Sequence, residues 1–351
     1  MEIEHSVLRM GIVGVGRNAM GLHAPCLIEH PRFKVVSVCD IDPANLSKGA
    51  EYFGCEGYHC IESMLEAGDL DLVLVMVRSN DHCRLALQCL EAGFNTLVTK
   101  PWGVDAAEVH EMINTANRYN RRILFWAPVR WSADLEFLQR ECRSIGQLKI
   151  IRRAHTTCSL RNDWQIWREF GGGYLLNWGP HLVDQLMVLA GSRVKSVNAS
   201  IWQFWNPGDV EDAFKATLEF ENGVWGEVEL TQSPIQLPNW FLQGEQGAIQ
   251  VSNVREADIR ELKAPSSERE DEYRQNFTIE SRDAVIQGDP FGDTRDVYDA
   301  IAGELSGEKS YRMGDADALH VAEVLDAIRE SASTGLRVRL TNSSGAASVV
   351  R

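Results

Sequence analysis

The stretch GIVGVGRNAMGLH (11–23) decides how the rest of the chain is read. It closes an apolar run beginning at Val7 and opens a helical pattern. Gly14 and Gly16 permit a tight strand-to-helix turn and the close approach of a pyrophosphate to backbone N–H groups at a helix N-terminus. Ala19 takes the third position of a G-x-G-x-x-A fingerprint, with Arg17 and Asn18 on the same turn. Such a motif is weak by itself, because glycine-rich turns are common. Its context strengthens it: a strand precedes, a helix follows, and Asp40 ends the next strand pattern, 21 residues past Ala19. A carboxylate there accepts hydrogen bonds from ribose hydroxyls and repels a 2′-phosphate, which favours NAD over NADP. Its bland alternative is a strand-end turn residue. Asp42 reads as a helix N-cap before Pro43.

Working outward, VLRMGIVG, FKVVSVCD, DLVLVMV, NTLVT and RRILFW are continuous apolar runs, the pattern of buried parallel strands. Helical segments separate them, one opened by a capping box from Asp105 to Glu108. This alternation predicts an α/β doubly wound parallel sheet, a Rossmann domain, over residues 1–127. After Trp126 the period changes. KIIRRAHTT, VKSVNASIWQF, AFKATLEF, GVWGEVELT and GAIQV alternate with period two, several joined by Glu-Asn-Gly or Gly-Glu-Gln-Gly turns. A large, mostly antiparallel, open-faced sheet is expected, in an α+β substrate-binding and oligomerisation domain over 128–340. Helices at 132–144, about 175–190, 294–305 and 315–334 are available to cover one face. Residues 252–290 read as a long excursion or loop, and 341–351 as a frayed tail.

A chain of 351 residues with 44% apolar and 24% charged composition is an ordinary two-domain globular protein. A net charge of −15 argues against nucleic acid, whose phosphates require a basic face. No apolar run approaches the roughly 20 residues that span a bilayer, and the first residues carry no signal-peptide pattern, so a cytoplasmic location is expected. Eight cysteines without a CxxC pair read as free thiols. No ligand spacing for a metal is visible.

TLVTKPWG (96–103) ends the fifth strand pattern. Sites in open α/β sheets lie at the carboxyl ends of strands, which directs Lys100 to the cofactor crevice. Pro101 holds Lys100 extended and permits a cis peptide. An ammonium there stabilises a developing alkoxide and relays its proton; a solvated loop lysine is the plainer alternative.

With RSNDHCRLALQCLEAG (78–93), TKP (99–101) and GGGYLLNWGPHLVDQ (171–185) added to the first motif, the chain resembles the glucose-fructose oxidoreductase/inositol dehydrogenase (Gfo/Idh/MocA) family over roughly residues 5–340. The resemblance implies an NAD-dependent oxidoreductase with Lys100 catalytic. It implies a cofactor site that includes Ser79, Asn80, His82, Lys100 and Pro101, and a homo-oligomer formed through the C-terminal sheet. Thr99 stands where the family has glutamate, and Ser79 where a proline is usual.

In FGGGYLLNWGPHLVDQL (170–186), Asn177, His181 and Asp184 are spaced to share one helix face. The resemblance makes His181 the general acid/base and Asp184 a substrate-binding or orienting residue, with Asn177 replacing an aspartate. Imidazole, with an unperturbed pKa of about 6.5, suits proton exchange near neutrality. Pro180 leaves open whether the helix starts near Gly179, which would remove Asn177 from that face. The glycine run is expected to let backbone approach cofactor or substrate. Arg130 in PVRW either binds substrate or pairs with a carboxylate. Arg161 and Trp164 in LRNDWQIWRE suit a sugar's hydroxyl rim and apolar face, although tryptophans at a domain junction are the plainer reading. His155 is more simply structural. The preferred function is oxidation of a secondary alcohol of a sugar, glycoside or cyclic polyol. Alternatives are a redox-neutral, NAD-dependent glycoside-cleaving enzyme and a non-catalytic NAD sensor.

Overall fold

A computed structural model describes residues 7–253, 255–263, 277–340 and 348–349. The chain forms two compact units, neither contiguous in sequence. The first comprises 1–128, 167–172 and 293–322; the second comprises 129–166, 173–292 and 323–351. The sequence reading drew one boundary near residue 127, so 167–172 and 293–322 group differently from that expectation.

In the first unit six parallel strands run in the order β3-β2-β1-β4-β5-β6. They are β1 (Leu8–Val13), β2 (Phe33–Cys39), β3 (Glu56–Tyr58), β4 (Leu72–Val75), β5 (Asn95–Val98) and β6 (Ile123–Phe125). The five apolar runs all become strands; β4 is buried at every position, as a central parallel strand requires. The short, polar β3 (EGY) lacked any such pattern. The helical segment after β1 opens with a π turn, Ala19–His23, in which Ala24 N–H reaches back five residues to Ala19 O. It continues as α1 (Ala24–Leu27). Next come α2 (Pro43–Phe53), α3 (Ile61–Ala67), α4 (His82–Glu91) and α5 (Ala106–Arg118). Asp42 caps α2, accepting from Ala44 N–H and Asn45 N–H. Asp105 caps α5 through Glu108 N–H, but the Glu108 carboxylate turns to Val104 N–H, so the capping box is displaced by one residue.

The second unit holds a ten-stranded sheet. Its strands are β7 (Leu148–Thr157), β8 (Val194–Trp202), β9 (Ala213–Phe220), β10 (Trp225–Gln232), β11 (Trp240–Gly244), β12 (Gly247–Val251), β13 (Glu256–Lys263), β14 (Thr278–Val285), β15 (Val338–Arg339) and β16 (Ser348–Val349). All pairs are antiparallel except β7 with β10. The region 252–290 is therefore not a plain excursion. It contributes β13 and β14, whose charged alternation hid them: β14 is exposed along nearly its whole length and offers almost no apolar face. Of the expected tail, Ser348–Val349 pairs with β15, while 341–347 and 350–351 lie outside the described residues. Helices α6 (Ala133–Glu141) and α7 (Tyr174–Ala190) belong to this unit, and α7 packs on β7, β9 and β10. α8 (Thr294–Leu305) lies in the first unit, and α9 (Asp315–Thr334) begins there. The sheet face away from α7 carries Lys215, Glu227, Glu229 and Arg152 in cross-strand ion pairs.

Candidate active site

At the switch point between β1 and β4, Gly14 has φ +91° and donates its N–H to Cys39 O. A Cβ at this position would run into the carbonyl of Met76 just past β4. Only glycine lets the two strand ends come this close, as the turn of a dinucleotide fingerprint requires. Arg17 and Asn18 are exposed on the first helical turn, and Ala19 is buried beneath it. Asp40 is both a turn residue and a candidate ribose ligand. One carboxylate oxygen accepts Val15 N–H at 2.9 Å and the other Asp42 N–H at 2.9 Å. Each oxygen retains an acceptor site, so the carboxylate that pins the glycine loop is still able to take ribose hydroxyls.

Lys100 lies just beyond β5, half-buried, in a cis peptide bond with Pro101. Thr99, at the family's glutamate position, donates its hydroxyl to Val75 O at 3.2 Å. His82 is fully buried, with Nδ1 2.6 Å from Pro101 O and Nε2 3.1 Å from Val77 O. Burial lowers its pKa. Both ring nitrogens are turned to these two carbonyls, and the neutral ring donates its one N–H to one of them. Ser79 is buried and Asn80 exposed on the 3-10 turn before α4.

In the second unit α7 is one helix from Tyr174, with Pro180 inside it. Asn177 N–H donates to Gly173 O, so Asn177 sits in the first turn and shares a face with His181 and Asp184. The missing N–H of Pro180 costs one helical bond, which the packing of an almost entirely buried helix tolerates. Two glycines of the run are required by packing. At Gly173 (φ +104°) a Cβ would collide with the Glu211 carboxylate, and at Gly171 with the Ser79 side chain. Glu211, which carried no motif, accepts Leu175 N–H at the start of α7.

Asp184 and Arg130 are paired with each other. Arg130 Nε lies 2.9 Å from Asp184 Oδ2 and Nη2 lies 2.6 Å from Oδ1, both residues being buried. The pair braces α7 from within the second unit. The neighbouring Gln185 carries the anchoring further: its amide accepts from Arg153 Nε and donates to Ser132 Oγ. Asp134 accepts from the Trp240 indole at 2.7 Å. His155 stacks on Trp178 with ring centroids 3.7 Å apart, and the same indole meets His181 edge-on at 6.1 Å. Burial, then the Arg153 charge, drives the His155 pKa down to about 4, so it is neutral at physiological pH. Arg161 is forked onto Asp163, and Trp164 is half-buried in a short 3-10 turn. Among the described residues no His, Cys, Asp and Glu cluster is arranged to hold a metal, and no helix is long and apolar enough to cross a membrane. All eight cysteines are free.

A parallel sheet in Rossmann order, with a glycine-only turn and an acidic second strand at its switch point, defines a dinucleotide-binding protein. Residues 8–126 match the model of the oxidoreductase family with an NAD-binding Rossmann fold, and 141–250 match the GFO/IDH/MocA C-terminal domain. The chain belongs to the Gfo/Idh/MocA family of oxidoreductases. It is 30% identical to the D-glucoside 3-dehydrogenase of Escherichia coli K12 over 63% of this chain and 70% of that protein. It is 23% identical to the myo-inositol 2-dehydrogenase of Thermotoga maritima over 80% and 85% of the respective chains. Among solved structures, an NAD-binding protein from Listeria innocua superposes with a TM-score of 0.82 at 25% identity, covering 95% of this chain and 96% of that one. The WlbA dehydrogenase from Chromobacterium violaceum, in complex with NADH and UDP-GlcNAcA, superposes with a TM-score of 0.80 at 25% identity, covering 97% of each.

Proposed function

We propose that the protein is an NAD-dependent dehydrogenase acting on a secondary alcohol of a sugar, glycoside or cyclic polyol. The observation that carries this reading is the α7 face: a histidine beside an indole, on a helix braced by a buried ion pair, in a chain whose other unit has Lys100 at the end of β5. NAD, when bound, supplies the hydride acceptor. Gly14, Gly16, Arg17, Asn18, Ser79 and Asn80 would hold it, with Asp40 on the ribose favouring NAD over NADP. Lys100 stabilises the alkoxide as the hydroxyl proton leaves, and His181 takes that proton. The substrate carbon goes from CH–OH to C=O, losing one hydride and one proton. Asn177 orients a hydroxyl or the imidazole by hydrogen bonding without adding charge. The nucleotide domain is built on residues 1–127 and the substrate domain on 128–340, apart from 167–172 and 293–322, which group with the first unit. The outer sheet face pairs with a second copy, and the protein works in the cytoplasm.

The test is NADH absorbance at 340 nm across sugars, glycosides, inositols and sugar acids. NADH with one substrate class is the expected result. Silence with calorimetrically confirmed NAD binding would overturn net oxidation and direct product analysis to redox-neutral cleavage.

A further inference from the structure

Lys100 is carried by the segment between β5 and α5, and that segment is tied down on either side of it. Thr99 gives both its N–H and its hydroxyl to Val75 O, each at 3.2 Å. The Trp102 indole donates to Trp126 O at 3.1 Å, and Val104 N–H donates to the Glu108 carboxylate at 2.8 Å. Pro101 has no N–H, so its carbonyl is the only backbone hydrogen-bonding group this residue brings. His82, 1% exposed, meets it with Nδ1 at 2.6 Å. The other ring nitrogen, Nε2, lies 3.1 Å from the carbonyl of Val77, just past β4 and ahead of the 3-10 turn that holds Ser79 and Asn80. The ring therefore stands between the loops that leave two paired strands, β4 and β5, both in the first unit.

Burial keeps the ring neutral, against the pull of the two carbonyls and the Asp81 carboxylate and with the Lys100 ammonium adding to it. A neutral imidazole has one N–H and one lone pair, so of two facing carbonyls it bonds only one. Two acceptors repel more at 2.6 Å than at 3.1 Å, which puts the proton on Nδ1. We infer that His82 is a positioning residue for Lys100: its Nδ1–H holds the Pro101 carbonyl and so fixes the backbone from which the Lys100 ammonium reaches a substrate hydroxyl. This rests on the dehydrogenase reading above, in which Lys100 meets the alkoxide. Without that bond, the backbone dihedrals of Lys100 and Pro101 are held only by the ties at Thr99 and Trp102. A displacement near 1 Å of a group that must meet the reacting atom costs on the order of 100-fold in rate. The turn with Ser79 and Asn80 keeps its own bond, from Asp81 N–H to Arg78 O, so rate and cofactor affinity are separable.

The variants are His82→Asn, His82→Gln and His82→Leu, each checked for folding by thermal melting. The carboxamide nitrogen of asparagine falls near the place of Nδ1 and that of glutamine near Nε2. Asparagine therefore keeps a donor for Pro101 O, whereas glutamine offers one to Val77 O. Rate is read as kcat and KM with the sugar that gives wild type its highest NADH rate, and cofactor affinity as the NAD Kd from calorimetry. His82→Leu and His82→Gln are expected to lose on the order of 100-fold in kcat with the NAD Kd unchanged, and His82→Asn to recover most of that loss. If His82→Leu does not fold, the contrast between asparagine and glutamine carries the comparison alone. Equal activity in those two variants, or a loss that falls on the NAD Kd and not on kcat, would overturn the assignment. A second readout needs no substrate: the methyl NMR signal of Lys100 after reductive methylation with labelled formaldehyde, identified by its absence from Lys100→Met. That signal should coincide in wild type and His82→Asn and move in His82→Gln. This pattern without NADH from any sugar would refute the dehydrogenase and leave the tie standing, whereas a signal unmoved by His82→Gln would overturn the tie.

Discussion

Replacing Arg130 by Met tests whether the buried fork to Asp184 organises the second unit. The closest contact, 2.6 Å, corresponds to about 6 kcal/mol of attraction at an effective dielectric near 20. Desolvation of two charges, several kcal/mol each, consumes most of that gain. The intact pair therefore adds little net stability. Removing one partner is another matter, because the Asp184 carboxylate, 1% exposed, loses its guanidinium while its desolvation remains. A loss of about 3–5 kcal/mol is expected for Arg130→Met, and a similar loss for Asp184→Leu. At about 2–4 °C per kcal/mol for a unit of this size, the melting transition falls by roughly 6–20 °C. The double variant, which removes both charges, should recover most of this. Thermal and urea denaturation of all four proteins gives the coupling energy. Single variants within about 1 kcal/mol of wild type, or a double variant as damaged as the sum of the singles, would refute the reasoning.

Lys100→Met should abolish turnover while calorimetry shows NAD bound as before; retained turnover would remove Lys100 from the chemistry. Asp40→Ser should shift preference toward NADP by roughly tenfold or more, since one negative charge near the 2′-phosphate is removed, read as the ratio of kcat/KM for the two cofactors. His23 is fully buried and its pKa is lowered by burial to about 3, well below the 6.5 of the unfolded chain. The folded state thus refuses a proton that the unfolded state accepts. Stability is complete above pH 6.5 and is lost as pH falls toward 3, by up to about 5 kcal/mol. Denaturation across that range should show the slope, and His23→Gln should flatten it. Asn177→Asp places a carboxylate one turn before His181 and should move the acid limb of the kcat/KM profile upward by on the order of one pH unit; an unmoved limb would separate Asn177 from the proton relay.

The first sheet was legible because parallel strands buried on both faces leave continuous apolar runs, and β1, β2, β4, β5 and β6 each have one. β3 was not, since three residues at a sheet edge need no apolar core. β9 and β12 emerged at their observed limits because one face packs beneath a helix or another strand's side chains, giving clean alternation. β14 was hidden for the converse reason, being exposed and held by cross-strand charge pairs such as Lys263 with Glu280, and β13 because its two buried residues, Ala257 and Ile259, lie among charged ones.

The site shows the same division at the level of single side chains. Spacing correctly put Asn177, His181 and Asp184 on one face, because helical periodicity is local and survives even Pro180. Spacing could not say which of the three is engaged elsewhere, because that depends on Arg130, 54 residues away in sequence. The same holds for His82, whose ring is committed to the carbonyls of Val77 and Pro101, and for the glycines at 171 and 173, whose missing side chains admit Ser79 and Glu211. A polar residue's type limits what chemistry it can do, but its partners decide whether it does any. By that criterion Asp184 and His82 are held as braces, and the proposed function gives the proton transfer to His181, one turn from the Arg130–Asp184 salt bridge and edge-on to the Trp178 indole.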